Sequence, residues 1–354
     1  MVRWRMRAAV PERRALRRLA GALIPAALAS VLLAACGSGN GTATQPTSPP
    51  AASSNPGGSA PPPQQPGTWS SADAIDGTHG LPGVSCLSQR FCVAADDFGE
   101  ALIYNGSSWS SPRTVATESG FNGVSCATTS FCVAVTETGD AYVYHGSSWS
   151  SPQVLTTGGT GLQSVDCPST HFCVAVDNAG GAYIYDGSSW SVPDAVDKGN
   201  SLSSVSCASA TFCVAVDAAG NEFTYHGSSW SGADSIDPSG GGLTGVSCAS
   251  SKFCLAVDSD GNVLSYNGSS WGAPDDINPG AGNLGGLSSV SCPTAAFCVA
   301  SIGDADDVYL YNGSTWSAPD IIDSAGSGIE SVSCPSATFC VAVDTTGNAF
   351  TYRS

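Results

Sequence analysis

Fourteen cysteines in seven C-x5-C pairs are the residues of this 354-residue chain most ready to do chemistry. They pair in sequence as Cys86 with Cys92, Cys126 with Cys132, Cys167 with Cys173, Cys207 with Cys213, Cys248 with Cys254, Cys292 with Cys298 and Cys334 with Cys340. Thiols so placed can oxidise to local disulfides or bind a soft metal. Zinc sites want four ligands and closer cysteine spacing, so the disulfide is the better reading. Closing so short a loop contributes about 2 kcal/mol per bridge in the chain-entropy model. Such bonds persist outside the cytoplasm. The fifteenth cysteine, Cys36, ends an apolar stretch in the sequence LAAC. There the expected chemistry is a lipid thioether; an ordinary secretory signal with a coincident cysteine is the alternative.

The pairs sit on a repeat. Tryptophans at 69, 109, 149, 190, 230, 271 and 316 keep the same beat, with spacings of 40, 40, 41, 40, 41 and 45. Periods near 40 residues point to arrays or propellers. Each unit holds four short apolar runs separated by Gly, Ser, Asn and Asp, for example NGVSC, FCVAV, AYVY and WSSPQVL in the second. These predict four strands per unit and no helix. A run as apolar as FCVAV must be covered on both faces, as in stacked blades.

The last unit stops at AFTYRS (349–354), where the others continue into GSSW and a fourth strand. The missing piece stands at the other end, as GTWSSADAID (67–76). The predicted fold is therefore all-β: a seven-bladed β-propeller of four-stranded antiparallel blades, closed by the N-terminal strand. Within a blade the order from the axis outward is A (SVSC), B (FCVAVD), C (AYxY) and D, with the cysteines bridging the A–B hairpin. The Phe column at 91, 131, 172, 212, 253, 297 and 339 is expected between blades. The Ala column at 94, 134, 175, 215, 256, 300 and 342 is expected where blades approach closely.

In this fold the B–C and D–A loops share one face, and most acidic residues fall there. Such a face would steer basic ligands toward the central opening. The alternative is that Asp is simply a good turn residue. The sixth unit departs from the pattern, with a longer preceding D–A loop, NPGAGNLGGL (278–287), and a B–C loop SIGDADD (301–307). Asp258, Asp260, Asp304, Asp306 and Asp307 are accordingly the candidate ligand-binding cluster. Calcium is the lesser alternative there, since hard oxygen ligands suit it, but DSDGN (258–262) is too short for an EF-hand loop, and no metal site or other cofactor is expected. His79, His145, His171 and His226 are scattered, and no nucleophile–base arrangement can be assigned. The protein is expected not to be an enzyme; a paired-carboxylate glycosidase is the lesser alternative.

The repeat resembles that of extracellular propeller lipoproteins of actinobacteria, with units of the form S-V-S-C-P-S-x-x-F-C-V-A-V-D over about residues 67–354. That resemblance implies a fold and a surface location but no defined activity. The turn YNGSSW (104–109) is also similar to the Asp-box of sialidases, S-x-D-x-G-x-x-W: Gly106 and Trp109 match, but Tyr104 replaces the aspartate. Sialidases hold the substrate carboxylate with three converging arginines. Arg90, Arg113 and Arg353 are expected on an A–B loop, a D strand and the chain end, which argues against that activity.

Formal charge is −17, yet seven of the twelve basic residues lie in the first eighteen positions. Beyond Cys36 only Arg90, Arg113, Lys198, Lys252 and Arg353 remain against 28 acids, which argues against nucleic-acid binding. The basic start and the stretch LAGALIPAALASVLLAA (19–35) read as a lipoprotein signal peptide, residues 1–35. Residues 36–66, rich in Pro, Ser and Gly, read as a disordered tether behind the lipidated Cys36. The expected product is a monomeric propeller, 67–354, lipid-anchored to the outside of the cell membrane. It would bind a protein or polymer partner at its acidic face. The alternative is a carbohydrate-binding propeller that uses the tryptophans, unless those are packed between blades.

Overall fold

The computed structural model describes residues 67–238, 240–279, 285–322 and 325–354. The expected signal peptide, Cys36 and the 36–66 linker lie outside them. The described residues are all-β and build seven four-stranded antiparallel blades in a ring. Numbering the blades from the first complete one, blade 2 comprises Phe121–Thr128, Phe131–Thr136, Asp140–Tyr144 and Gln153–Val154 as its A to D strands. The other blades repeat this order.

The B strands show why the sequence takes this form. Phe131–Thr136 is buried along its whole length, with Val133, Ala134 and Val135 fully inaccessible. Its side chains alternate between two neighbours. Phe131, Val133 and Val135 pack with Leu162, Val165, Ala175 and Tyr183 of blade 3. Ala134, on the other face, joins Val93, Ala95 and Phe121 toward blade 1. Each large apolar side chain so buried stabilises by about 1.5–3 kcal/mol, and the alanines let the sheets approach. The expected Phe and Ala columns therefore serve the inter-blade core.

Ring closure follows the prediction. Asn348–Arg353, the C strand of blade 7, pairs on its outer edge with two N-terminal strands, Thr68–Trp69 and Asp73–Ala74. Trp69 lies opposite Tyr352, and Asp73 opposite Ala349. In the other six blades the same tryptophan forms a single bridge to the C-strand tyrosine, as Tyr104↔Trp109 does in blade 1. Their rings meet at 5.3 Å.

All seven cysteine pairs are disulfides across their own A–B hairpins, as their spacing predicts. Cys86 bonds to Cys92, Cys126 to Cys132, Cys167 to Cys173 and Cys207 to Cys213. Cys248 bonds to Cys254, Cys292 to Cys298 and Cys334 to Cys340. The two members of a pair are not equivalent. Those on the B strands, Cys92, Cys132, Cys173, Cys213, Cys254, Cys298 and Cys340, are fully buried and belong to the core between blades. Their A-strand partners keep slight exposure, because they stand at the end of the innermost strand.

A polar ring also runs around the axis. The A-strand serine before each first cysteine accepts the backbone N–H of the corresponding cysteine in the next blade. Ser85 accepts from Cys126, Ser125 from Cys167, Ser206 from Cys248, Ser247 from Cys292, and Ser291 from Cys334, each at 3.0 Å. Ser333 closes the circle onto Cys86 at 2.9 Å. In blade 3 the serine is replaced by Asp166, whose carboxylate accepts from Cys207 at 2.6 Å and from the Ser125 hydroxyl at 3.1 Å. The innermost strands of neighbouring blades are thus stitched by side chains where no ladder can reach.

Candidate binding face

The B–C and D–A loops share one face because they bond to each other. In blade 3 the Gly180 carbonyl of the B–C turn accepts N–H groups from Val196 and Asp197 just beyond the D strand, both at 3.0 Å. Gly180 has φ +84°, and a Cβ there would collide with the Asp197 carbonyl, so the turn requires glycine. The A–B and C–D loops meet on the opposite face, as Gly106 against Arg90 shows.

On the B–C/D–A face the central channel opens as a cavity of about 200 Å³ lined by the starts of all seven A strands. Its outermost positions are Pro82, Asn122, Gln163, Ser203, Thr244, Ser288 and Glu330, a different set of side chains on nearly equivalent backbones. Several are engaged in the stitching: Asn122, Ser203, Thr244 and Ser288 each donate to the A-strand carbonyl of the next blade at 2.6–2.8 Å. Among the described residues Glu330 is the one charged residue in the lining, and burial, then Asp97 and Asp344, raise its pKa.

Two kinds of acid account for much of this face. Asp177, Asp217, Asp258 and Asp344 end their B strands and Asp96 directly follows one; all five are buried and cap their own hairpins. Asp217, for example, accepts N–H groups from Ala219 and Asn221, both at 2.8 Å, and the Asn221 amide at the same distance. Turn chemistry explains them. Asp97, Glu118, Glu137, Asp260 and Asp304 are exposed and give the face its negative charge.

The five-residue candidate cluster does not survive this division as a unit. Asp258 is fully buried and spends its carboxylate on Asp260 N–H, Asn262 N–H and the Asn262 amide. Asp306 is 2% exposed and clamps the next connection by accepting N–H groups from Gly326, Ser327 and Gly328. Asp260 and Asp304 remain exposed, and Asp307 is half-buried with its pKa raised by burial and by Asp306 and Asp320. Gly286 packs against Ser259 and Gly285 against Asp304, so these two glycines stand between the two groups. The irregularity of the sixth unit is thus partly a stitch to blade 7.

Sequence reasoning missed a different arrangement, in which an acid after a D strand faces the B-strand aspartate of the next blade. Asp237 is 2% exposed, and burial and Asp258 push its pKa up to about 6. Asp197 is shifted upward in the same way by burial and Asp217. At the closing junction burial and Asp96 raise Asp76 to about 7. The signal lay in two repeat columns read together, one after each D strand and one at the end of each B strand.

The tryptophans are half-buried, each against its own tyrosine, and Trp149 joins the core between blades 1 and 2. Grooves remain beside them on the rim: one is lined by Arg113, Thr114 and Trp149, another by Asp275, Ile277 and Trp316. The arginines do not converge. Arg90 lies in an A–B loop and Arg113 on a D strand. Arg353 lies over the Phe339 ring and donates to the Tyr104 hydroxyl. None of the three lines the channel mouth.

No protein-family model matches the chain, and no curated protein matches it. Its similarity is to solved propeller structures. A structure described as YCF48 bound to D1 peptide is 15% identical, with a TM-score of 0.65 over 82% of this chain and 96% of that one. YCF48 from Cyanidioschyzon merolae, also 15% identical, gives 0.62 over 80% and 98%. The RRP9 WD40 repeats, 12% identical, give 0.66 over 82% and 99%. At these identities the likeness is one of fold: the chain is a seven-bladed β-propeller with a disulfide in every blade.

Proposed function

We propose that this protein is a binding module, displayed on the outside of the cell membrane by a lipid on Cys36, that docks a basic segment of a partner protein at the channel mouth. The observation that carries this reading is the lining of the mouth. Residues repeated in all seven blades serve the shared frame. At the mouth the seven positions carry six residue types, and the single charge among them is Glu330. Exposed acids around the opening would draw in a cationic chain and raise its association rate. Seven local disulfides suit an oxidising compartment. A propeller of the same fold, YCF48, has been seen with a peptide, which supports the mode of binding without naming the ligand.

The rim grooves beside Trp149 and Trp316 favour a second reading, carbohydrate binding at several equivalent weak sites. Parallel arrays of basic peptides and of glycans, probed with the disulfide-intact protein, separate the two. Salt-sensitive capture of basic peptides supports the first reading. Glycan capture that is lost on replacing Trp149 and Trp316, with no peptide bound, would replace it with the second.

A further inference from the structure

The closing junction, between blades 7 and 1, differs from its neighbours in a way that a paired-aspartate contact does not explain. At Asp217, Asp258 and Asp344 the second carboxylate oxygen accepts a neutral amide, from Asn221, Asn262 and Asn348 at 2.7–2.8 Å. At Asp177 the Tyr183 hydroxyl does this at 2.8 Å. At Asp96 the position of the asparagine is taken by Glu100, an acid, and the facing residue is a histidine. His79 Nδ1 lies 3.3 Å from Asp96 Oδ2 and 3.9 Å from Asp76 Oδ1. Three carboxylates and one imidazole therefore meet where other junctions place an amide or a hydroxyl.

We propose that this junction binds one divalent metal ion of the zinc class through Asp76, His79 Nδ1, Asp96 and Glu100. One ligand atom from each lies within 4.8 Å of all the others, and among the described residues this is the group of histidine and acids that so converges. An independent observation points the same way. Asp76 is 3% exposed, its carboxylate faces the group, and its Oδ2 has no hydrogen-bond donor; Asp197 Oδ2 and both oxygens of Asp237 lack one too, but only beside Asp76 does an imidazole complete a ligand set among the described residues. A buried carboxylate oxygen without a donor is costly, and a cation removes that cost. Zinc accepts imidazole nitrogen together with carboxylate oxygen in four-coordinate sites, whereas calcium takes six to eight oxygens. The His79 side chain is 35% exposed and stacks on Phe98 at 4.1 Å, leaving a path for the ion from solvent. Glu100 is already steadied by the Thr114 hydroxyl at 2.9 Å.

The ligands also say what the ion would do. Asp76 and His79 lie in the connection that follows the N-terminal strand Asp73–Ala74; Asp96 and Glu100 lie on blade 1. An ion would tie the segment that closes the ring to the blade that begins it.

Calorimetric titration of the metal-stripped full-length protein with zinc chloride should show one ion per chain, with a Kd on the order of micromolar or tighter. His79→Gln and Glu100→Asn should each weaken binding by at least about tenfold, that is by about 1.4 kcal/mol. Glu100→Asn installs the amide of the other junctions and should melt no lower than the metal-free parent. Asp237→Asn, at a junction without histidine, should bind zinc like the parent. X-ray absorption should show one imidazole with oxygen donors and no sulfur. A Kd weaker than about 100 μM, affinity unchanged in both variants, equal competition by calcium, or sulfur in the shell would each overturn the proposal.

Discussion

The Ser333 hydroxyl of blade 7 accepts the backbone N–H of Cys86 in blade 1 at 2.9 Å, across 247 residues of sequence. It is the last link of a seven-membered circle in which each innermost strand bonds to the next through one side chain. A closed ring of weak links makes every link depend on the ring staying shut.

Removing one link should therefore be felt. Ser206→Ala leaves the Cys248 N–H without its acceptor, and a buried unsatisfied donor costs about 1–3 kcal/mol. Urea denaturation should show that loss, with Ser333→Ala at the closing junction losing at least as much. Equal stability of both variants and the parent would show that the circle is ornamental.

Asp166 allows the converse experiment. Burial raises its pKa, while the Cys207 N–H and the Ser125 hydroxyl partly offset this. Asp166→Ser restores the hydroxyl found in the other six blades. At pH 7 the variant should be at least as stable as the parent. Marked destabilisation would mean that the carboxylate has a structural partner of its own.

The Asp237–Asp258 contact sets a pH dependence. With its folded pKa near 6, Asp237 keeps a proton that the unfolded chain releases near 3.8. The native state then binds more protons between those values, so stability falls as pH rises from about 4 to about 6, and the contribution is absent above. Asp237→Asn presents a donor to Asp258 at every pH. It should match the parent near pH 4 and exceed it at pH 7 by on the order of 1 kcal/mol. Thermal melts across that range would show parallel curves if the contact did not titrate.

Each disulfide closes a small loop in the unfolded chain. Replacing Cys207 and Cys213 together by alanine should cost about 2 kcal/mol, with an added loss for the volume at the fully buried Cys213. Non-reducing peptide mapping of the parent should recover seven within-repeat bridges. Bridges between repeats would contradict the register in which Cys207 faces Cys213.

Glu330→Gln tests the channel mouth without touching the serine circle. For a basic peptide captured by the parent, affinity should fall severalfold, and the salt dependence should flatten. Unchanged affinity would move the contact to the exposed acids at the rim.

Much of the architecture could be read from the chain because seven imperfect copies act as their own comparison. The blade count, the disulfides and the borrowed strand before Asp76 each follow from columns that recur or break. The candidate site was less legible. Asp258 and Asp306 looked like free carboxylates, because a sequence does not show which backbone N–H groups an aspartate is already accepting. The cluster at Asp76, His79, Asp96 and Glu100 escaped notice for another reason. Its members come from two sides of a junction, and Asp76 follows the one outer strand that the repeat places at the opposite end of the chain. The serine circle was visible as a column, yet its meaning needed the third dimension.

The outermost strands carry one more consequence. Each is only two residues long, as with Arg113–Thr114 and Asp194–Ala195, both exposed, and a proline stands directly before most of them, at 112, 152, 193, 274 and 319. Little unpaired backbone is therefore offered at the rim, and what is offered is interrupted by residues that cannot donate. A ring of seven sheets would otherwise present seven templates for edge-to-edge pairing. Cut this short, the rims should let many copies crowd side by side on one surface without fusing into fibres.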